Sequence, residues 1–356
     1  EWENEWSYAS SIQIIATIAA LLHDIGKSTI GFQKKLDGIT KQGDPYRHEW
    51  ISLKLFELMI ADCTTDESWL ERLMQLDDWL KSHDIEKLLA NANQEAVTVK
   101  DMPPLAQWTA WLIVTHHRLP PVEQVFYPTN TIQSLQKPDA TDNYERSLST
   151  FYLRLTPINY WVKNPKSLLP KKDGGMTQAQ LKEFWRFEYL VINSTVWQKT
   201  IKRWCKKALN DPALMQISQQ AVENKKAVSD PFLLHLSRLC LMVGDHNYSS
   251  LKQDDARCLK VNESFDHIAA NTERMAGKSI PKQSLEEHLL GVGAFTAHFC
   301  RALPIIASKM PTLRNHDPLA RPTGIERFQW QNQAFKMCCG LQEVTREHGF
   351  FGVNMA

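Results

Sequence analysis

The sequence predicts an all-α fold. Apolar residues recur at three- and four-residue steps through most of the chain. Alternating strand-like windows are almost absent, and polar or Pro/Gly-bearing stretches separate the periodic ones. Ile14, Ile18, Leu21, Leu22 and Ile25 draw the first apolar stripe, with Gly26 where a left-handed cap would end that helix. Further helices are expected over about 48–61, 67–90, 105–117, 178–208, 231–245 and 284–302. Pro128–Ser149, with Pro138, and Asn164–Thr177, with Pro165, Pro170 and Gly174–Gly175, read as surface loops, and Asn271–Lys282 reads as irregular. From 303 onward Pro304, Pro311, Pro318 and Pro322 interrupt the pattern before a last helix near 328–347. Phe350–Val353 is the single strand-like piece, and there is no internal repeat. The organisation expected is a helical body over 1–302 and a segment over 303–356 that belongs to a different domain.

With 356 residues, 43% of them apolar and 23% charged, the chain can bury a sizeable core and is not a disordered tail. A formal net charge of +1 leaves room for a basic groove but does not demand one. The seven cysteines (63, 205, 240, 258, 300, 338 and 339) form no C-x-x-C pair and no disulfide-like spacing, which suits reduced thiols in a cytoplasmic protein. No uninterrupted apolar run of about 18 residues is read here, so no membrane span is expected. Nor does a basic-then-apolar leader open the chain. A start at Glu1 rather than Met suggests an excised fragment.

Chemistry concentrates in Leu21-Leu22-His23-Asp24-Ile25-Gly26-Lys27. An imidazole and a carboxylate side by side at the end of an apolar helix can ligate one metal, and the second carboxylate oxygen can bridge to another. A bare His–Asp pair is weak: His83-Asp84 recurs in a polar context and reads as a solvated helix face. His23-Asp24 gains weight from other potential ligands. His48 opens a helix in Tyr46-Arg47-His48-Glu49-Trp50. His116 and His117 close one before Arg118-Leu119-Pro120. Asp245 ends the apolar helix from Phe232 to Val243, where a carboxylate is costly to bury unless paired or metal-bound. Neighbouring histidines on a helix diverge by about 100°, so both reach one centre only near a helix end or with a second metal close by. Each residue alone has a plainer explanation, a packed core histidine or a solvated aspartate.

His-Asp, a distant His, then His-His and a distant Asp together are similar to the HD superfamily of metal-dependent phosphohydrolases. The surrounding words Gly31-Phe32-Gln33, Arg47-His48-Glu49-Trp50 and Val114-Thr115-His116-His117-Arg118-Leu119-Pro120 resemble the nuclease domain of CRISPR helicase–nucleases, in particular the type I-F branch. That family has a further histidine on a helix upstream of His-Asp, and residues 1–22 contain none. Leu285-Glu286-Glu287-His288-Leu289-Leu290-Gly291-Val292 looks like the missing helix placed after Asp245, and His288 shares a face with Val292, Phe295 and Phe299. The resemblance therefore points to a circularly permuted HD domain in which His288 completes the site; a packed core histidine is the alternative. His298 lies on another face. Ile325-Glu326-Arg327-Phe328-Gln329-Trp330-Gln331 resembles the adenine-contacting motif before a first RecA-like helicase domain. Phe350–Ala356 then reads as the strand entering a phosphate loop, but no Gly-x-x-x-x-Gly-Lys-[Ser/Thr] occurs, so no ATP site is complete in these residues.

The resemblance implies two divalent ions, one held by His288, His23, Asp24 and Asp245 and the other by Asp24, His48, His116 and His117, with Asp24 bridging. Such ligands suit Mn, Fe, Co or Ni better than Mg. Lys27 would neutralise a phosphate oxygen. The implied reaction is two-metal hydrolysis of single-stranded DNA during CRISPR interference. The implied partners are an RNA-guided surveillance complex and the adaptation integrase, reached through the full-length protein, with phage anti-CRISPR inhibitors as further candidates. Lys202-Arg203-Trp204, Lys206-Lys207, Lys163, Lys166, Lys171 and Lys172 could line the strand's path, though charge runs are commonly plain solvated faces. Two other readings compete: an HD phosphohydrolase acting on nucleotides, and a catalytically idle interaction module.

Overall fold

A computed structural model describes residues 6–39, 43–91, 97–119, 161–252, 254–261, 268–275 and 278–309. The expected loop 128–149, the helix near 328–347, Ile325–Gln331 and Phe350–Ala356 lie outside the described residues. The chain divides into two compact units, Glu1–Leu303 and Pro304–Ala356.

Helix α1 (Ala9–Leu22) is buried on nearly every side rather than along one stripe, with eleven of its fourteen residues inside. It is the central post of the first unit, and the helices Pro104–Thr115, Thr195–Leu209 and Pro231–Ser250 pack around it. That burial also answers the membrane question. Ala9–Ser28 is long and apolar enough to span a bilayer by length and composition, contrary to the expectation above, yet 83% of its apolar window is buried inside the protein. A cylinder apolar all round is what a fully enclosed core helix requires.

Gly26 does not cap α1 in a left-handed conformation, because its φ is not positive. It lies in a 3-10 turn, Ile25–Ser28, and its importance is proximity: a Cβ there would stand 2.3 Å from the His48 carbonyl oxygen and 2.8 Å from Ser52 N. The absent side chain lets α3 (His48–Met59) lie against the turn that follows His23-Asp24. Between them runs α2 (Ile30–Leu36), whose N-terminus Thr29 caps by accepting from Phe32 N.

The single helix expected over 67–90 is three: α4 (Asp66–Met74), α5 (Leu76–Ser82) and α6 (Ile85–Asn91). The chain turns extended at His83 (φ −130°, ψ 129°), and Asp84 accepts from Lys87 N to start the next helix. His83 stacks on Trp79 with ring centroids 4.4 Å apart, so this second His–Asp pair is an exposed helix junction. Buried Asp66 starts α4 and accepts from Leu105 N, Ala106 N, Trp69 Nε1 and the Ser218 hydroxyl. It thereby fixes the first turn of α7 (Pro104–Thr115).

The expected helix 178–208 is also divided. After α8 (Gln178–Lys182) the chain passes through 3-10 turns and extended residues to α9 (Thr195–Leu209), started by Ser194, whose hydroxyl accepts from Trp197 N. Helix α10 (Pro212–Glu223), absent from the expected set, opens with an Asp211 cap and Pro at its first position, a signal legible in the sequence. Helix α11 (Pro231–Ser250) runs five residues past Asp245, which is therefore a mid-helix residue and not a terminal one. Asn271–Lys282 is not irregular: β1 (Ala269–Met275) pairs antiparallel with β2 (Lys278–Ser284), with shifts of register near Asn271. Helix α12 (Leu285–Lys309) follows directly and continues through Pro304. Among the described residues the body is helical, as expected, with one small hairpin added.

Candidate metal centre

His23 and Asp24 follow the last turn of α1. His23 keeps helical angles (φ −59°, ψ −34°), while Asp24 departs from them (φ −114°, ψ 8°), and both side chains are fully buried. This break turns the two adjacent side chains into one pocket instead of spreading them around a cylinder. His48 comes from the first turn of α3, with its side chain 11% exposed. His116 caps α7 and is buried; His117, one residue past it, is exposed at the rim. Because α7 stops at Thr115, the 100° divergence of adjacent helical residues no longer applies, and both rings face Asp24. Asp245 arrives from the middle of α11 and His288 from the first turns of α12, both buried.

All seven residues come together in two groups that share Asp24. His23, Asp24, Asp245 and His288 offer ligand atoms within 4.8 Å of one another, as do Asp24, His48, His116 and His117. The two oxygens of Asp24 serve different groups. Oδ1 lies 3.0 Å from His48 Nε2 and 3.8 Å from His116 Nε2. Oδ2 lies 3.2 Å from His23 Nε2 and 3.1 Å from His288 Nε2. Asp245 Oδ1 stands 3.8 Å from His23 Nε2 and 3.6 Å from His288 Nε2, and accepts from the Ser249 hydroxyl at 3.0 Å.

The donor atoms are poised for an ion. His23 Nδ1 lies 2.7 Å from the Ala20 carbonyl oxygen and His116 Nδ1 lies 2.7 Å from that of Ile113. A carbonyl can only accept, so each Nδ1 carries a proton and each Nε2 is the nitrogen turned to the pocket. His23 Nε2, Asp24 Oδ1, His48 Nε2 and His116 Nε2 are buried without a hydrogen-bond partner, a costly state that a bound cation would relieve. The residues present thus fit divalent metal, and the clusters could hold it.

Protonation follows from burial and neighbours. Burial works against ionising Asp24, yet His23, Lys27 and His48 hold its carboxyl well below the usual range. Asp245 is likewise held low, its burial outweighed by His23. Burial drives His116 well below an ordinary histidine and lowers His117 and His288 too. His23 goes the other way: burial disfavours its charge, but the Asp24 and Asp245 carboxylates push its pKa up to about 10. Ionised carboxylates beside His116, His117 and His288, whose charge burial disfavours, form a ligand set, and a metal would compete with the proton held on His23.

Lys27 is 6% exposed and paired to Asp24 Oδ2 at 2.7 Å, so it is not a solvated lysine. Its Nζ also lies 3.5 Å from Asn271 Oδ1 on β1. Gln33, quoted above only as part of a motif, ties the hairpin to this turn. Its amide nitrogen donates to the Lys27 and Ala269 carbonyls, and its oxygen accepts from Ala269 N. Glu49 was also missed, though it adjoins His48. Its side chain is fully buried, with Oε2 3.6 Å from His48 Nδ1 and Oε1 3.2 Å from Arg47. A buried carboxylate beside a ligand-type histidine acts on it electrostatically, so the adjacent Glu49 was the signal to read.

Residues 5–181 match the sequence model of the family described as Cas3, HD domain. That matched segment is a Cas3 HD-domain sequence. Five of the seven clustered residues, His23 to His117, fall inside the matched Cas3 HD segment; Asp245 and His288 come from beyond it. The chain is also 33% identical, over 99% of its length, to the CRISPR-associated nuclease/helicase Cas3 subtype I-F/YPEST of Pectobacterium atrosepticum. It is 33% identical over its whole length to the protein of the same name from Pseudomonas aeruginosa. It spans 30% of the length of each relative.

Proposed function

We propose that this chain is the metal-dependent nuclease domain of a subtype I-F Cas3 and hydrolyses phosphodiester bonds of single-stranded DNA at a two-metal centre. One observation carries the reading: Asp24 directs a separate oxygen to each of two clusters rich in imidazole, the arrangement a bridging carboxylate needs. The similarity to nuclease/helicases over essentially the whole chain supports the same reaction class. His288, His23, Asp24 and Asp245 would hold one ion, and Asp24, His48, His116 and His117 the other. Nitrogen-rich sites of this kind favour Mn, Fe, Co or Ni over Mg.

Divalent ions held there would supply Lewis acidity toward phosphate and make water easier to ionise near neutral pH. The chain's own groups do the remainder. Backbone carbonyls behind His23 and His116 keep their Nε2 atoms aimed inward. Lys27 stands beside Asp24 with an ammonium able to neutralise a phosphate oxygen. Exposed His117 forms the open edge at which a strand arrives.

We assign residues 1–302 to the nuclease domain and 303–356 to a linker and the start of a RecA-like helicase domain. We place the whole protein in the cytoplasm with a CRISPR surveillance complex and the adaptation integrase as its partners. The test is direct. With added Mn, Co or Ni and no ATP, the purified chain should cut linear single-stranded DNA, and EDTA should stop it. Asp24→Ala should abolish cutting while leaving the helical circular-dichroism spectrum unchanged. Hydrolysis of free nucleotides with no cutting of DNA would overturn the substrate assignment. Cutting retained in Asp24→Ala would overturn the centre.

A further inference from the structure

On the side of α12 turned away from His288, a cavity of about 470 Å³ opens between α12 and α9. Its helix faces are continuous. Val196, Thr200, Arg203 and Lys207 follow one another along α9 at three- and four-residue steps. Leu290, Gly293, Ala297 and Arg301 do the same along α12. At about 100° per residue, Leu290, Ala297 and Arg301 lie roughly 180–220° around α12 from His288, so the cavity and the metal centre occupy opposite faces of one helix.

The chemistry of this cavity is one-sided. Arg203, Lys207, Lys260 and Arg301 line it, and no carboxylate does among the described residues. All four are exposed, and none has an ion-pair partner among the described residues. Two small residues, Gly293 and Ala297, line its α12 side, and Gln13, which also lines it, donates to the Ala297 carbonyl at 2.6 Å. Trp204 could have offered a base a stacking surface, but its ring is 5% exposed and Lys207 Nζ already stands 4.2 Å above it. The groove therefore presents charge and fork-shaped donors and no open aromatic face, which suits phosphates and not bases.

We propose that this cleft is a second nucleic-acid site, a sequence-independent seat for the sugar–phosphate backbone of a strand, separate from the centre where bonds are broken. The choice of a nucleic acid over other polyanions rests on the nuclease reading above. Holding a strand by its phosphates leaves the bases free and tethers long substrates, while short ones still reach the metal centre unaided.

The experiment measures anisotropy of a fluorescein-labelled thirty-nucleotide oligo-dT against salt, in EDTA so that nothing is cut. The whole chain is compared with the Arg203→Gln/Arg301→Gln double variant. Both residues are exposed, and matching thermal melts confirm that the variant is folded. Loss of two phosphate contacts should weaken binding about tenfold or more at 0.1 M salt and reduce the slope of log K against log salt by roughly 1.4. Cutting of a six-nucleotide oligo in Mn should be unchanged. Binding and salt slope equal to wild type would overturn the proposal, as would polyglutamate displacing the strand at equal charge concentration, which marks an acidic-protein site. Failure of the wild-type chain to cut any oligo refutes the nuclease reading instead, while the anisotropy comparison still decides the cleft.

Discussion

Glu49 shows how much of the centre depends on a side chain that touches no substrate. Its carboxyl is held down to about 2, against an ordinary 4.5: burial opposes ionisation, but the imidazoles around it, His48 first, and Arg47 outweigh it. A depressed carboxyl pKa means stability that is present above about pH 4.5 and drains away as pH falls toward 2. The shift corresponds to on the order of 3 kcal/mol. Glu49→Gln should therefore flatten the acid limb of metal-free stability, read by urea unfolding between pH 6 and 3. An acid limb identical to wild type would show that the carboxylate is not coupled to these imidazoles. The same substitution should loosen metal binding by about ten- to a hundredfold, because the His48 ring loses the negative charge behind it.

Among the elements, the turn after α1 and the hairpin β1–β2 do the positioning. Gly26 allows the α1–α3 approach that brings His48 to Asp24. Gly26→Ala inserts a methyl group against backbone atoms that cannot swing aside, which should cost about 2 kcal/mol or more in urea unfolding and lower metal content. If the alanine variant is as stable and as well loaded as wild type, the close approach does not limit the site. Gln33 is the hairpin's tie to the Lys27 turn. Gln33→Ala removes three hydrogen bonds at once, so amide exchange in 269–275 should accelerate while exchange in α1 stays slow. Uniform exchange in both would mean that the hairpin is held by other contacts.

Across the first unit, segments separated by more than 250 residues meet at one carboxylate, so metal and fold are thermodynamically linked. An ion that binds the folded chain and not the unfolded one adds about 2.7 kcal/mol when present at a hundredfold its Kd. Chelation should lower the unfolding temperature, and readdition of Mn or Ni should restore it. His48→Ala and His288→Ala should each reduce the bound metal from two ions to one, counted by elemental analysis. Loss of both ions in each variant, or of neither, would contradict two groups joined only through Asp24.

The sequence by itself determined the helical class and picked out the residues that gather around Asp24. Those properties live in short range: the apolar spacing of α1, the break at Ile25-Gly26, and the His48, His116-His117 and Asp245 contexts are each legible within about ten residues. Even His288 was readable, because an inward-facing histidine on an apolar helix is a local pattern. What failed was partly local as well. The helices expected over 67–90 and 178–208 broke near Asp84 and Ser194, whose side chains cap the helices that follow, and the polar strands β1 and β2 pair with each other and are tied to distant Gln33 at Ala269. Only tertiary structure could settle which oxygen of Asp24 faces which histidine, that Glu49 backs His48, and that a row of cations on α9 meets Arg301 across a cleft. Such facts depend on distances between segments, and the order of residues along a chain carries no distance until the helices have packed.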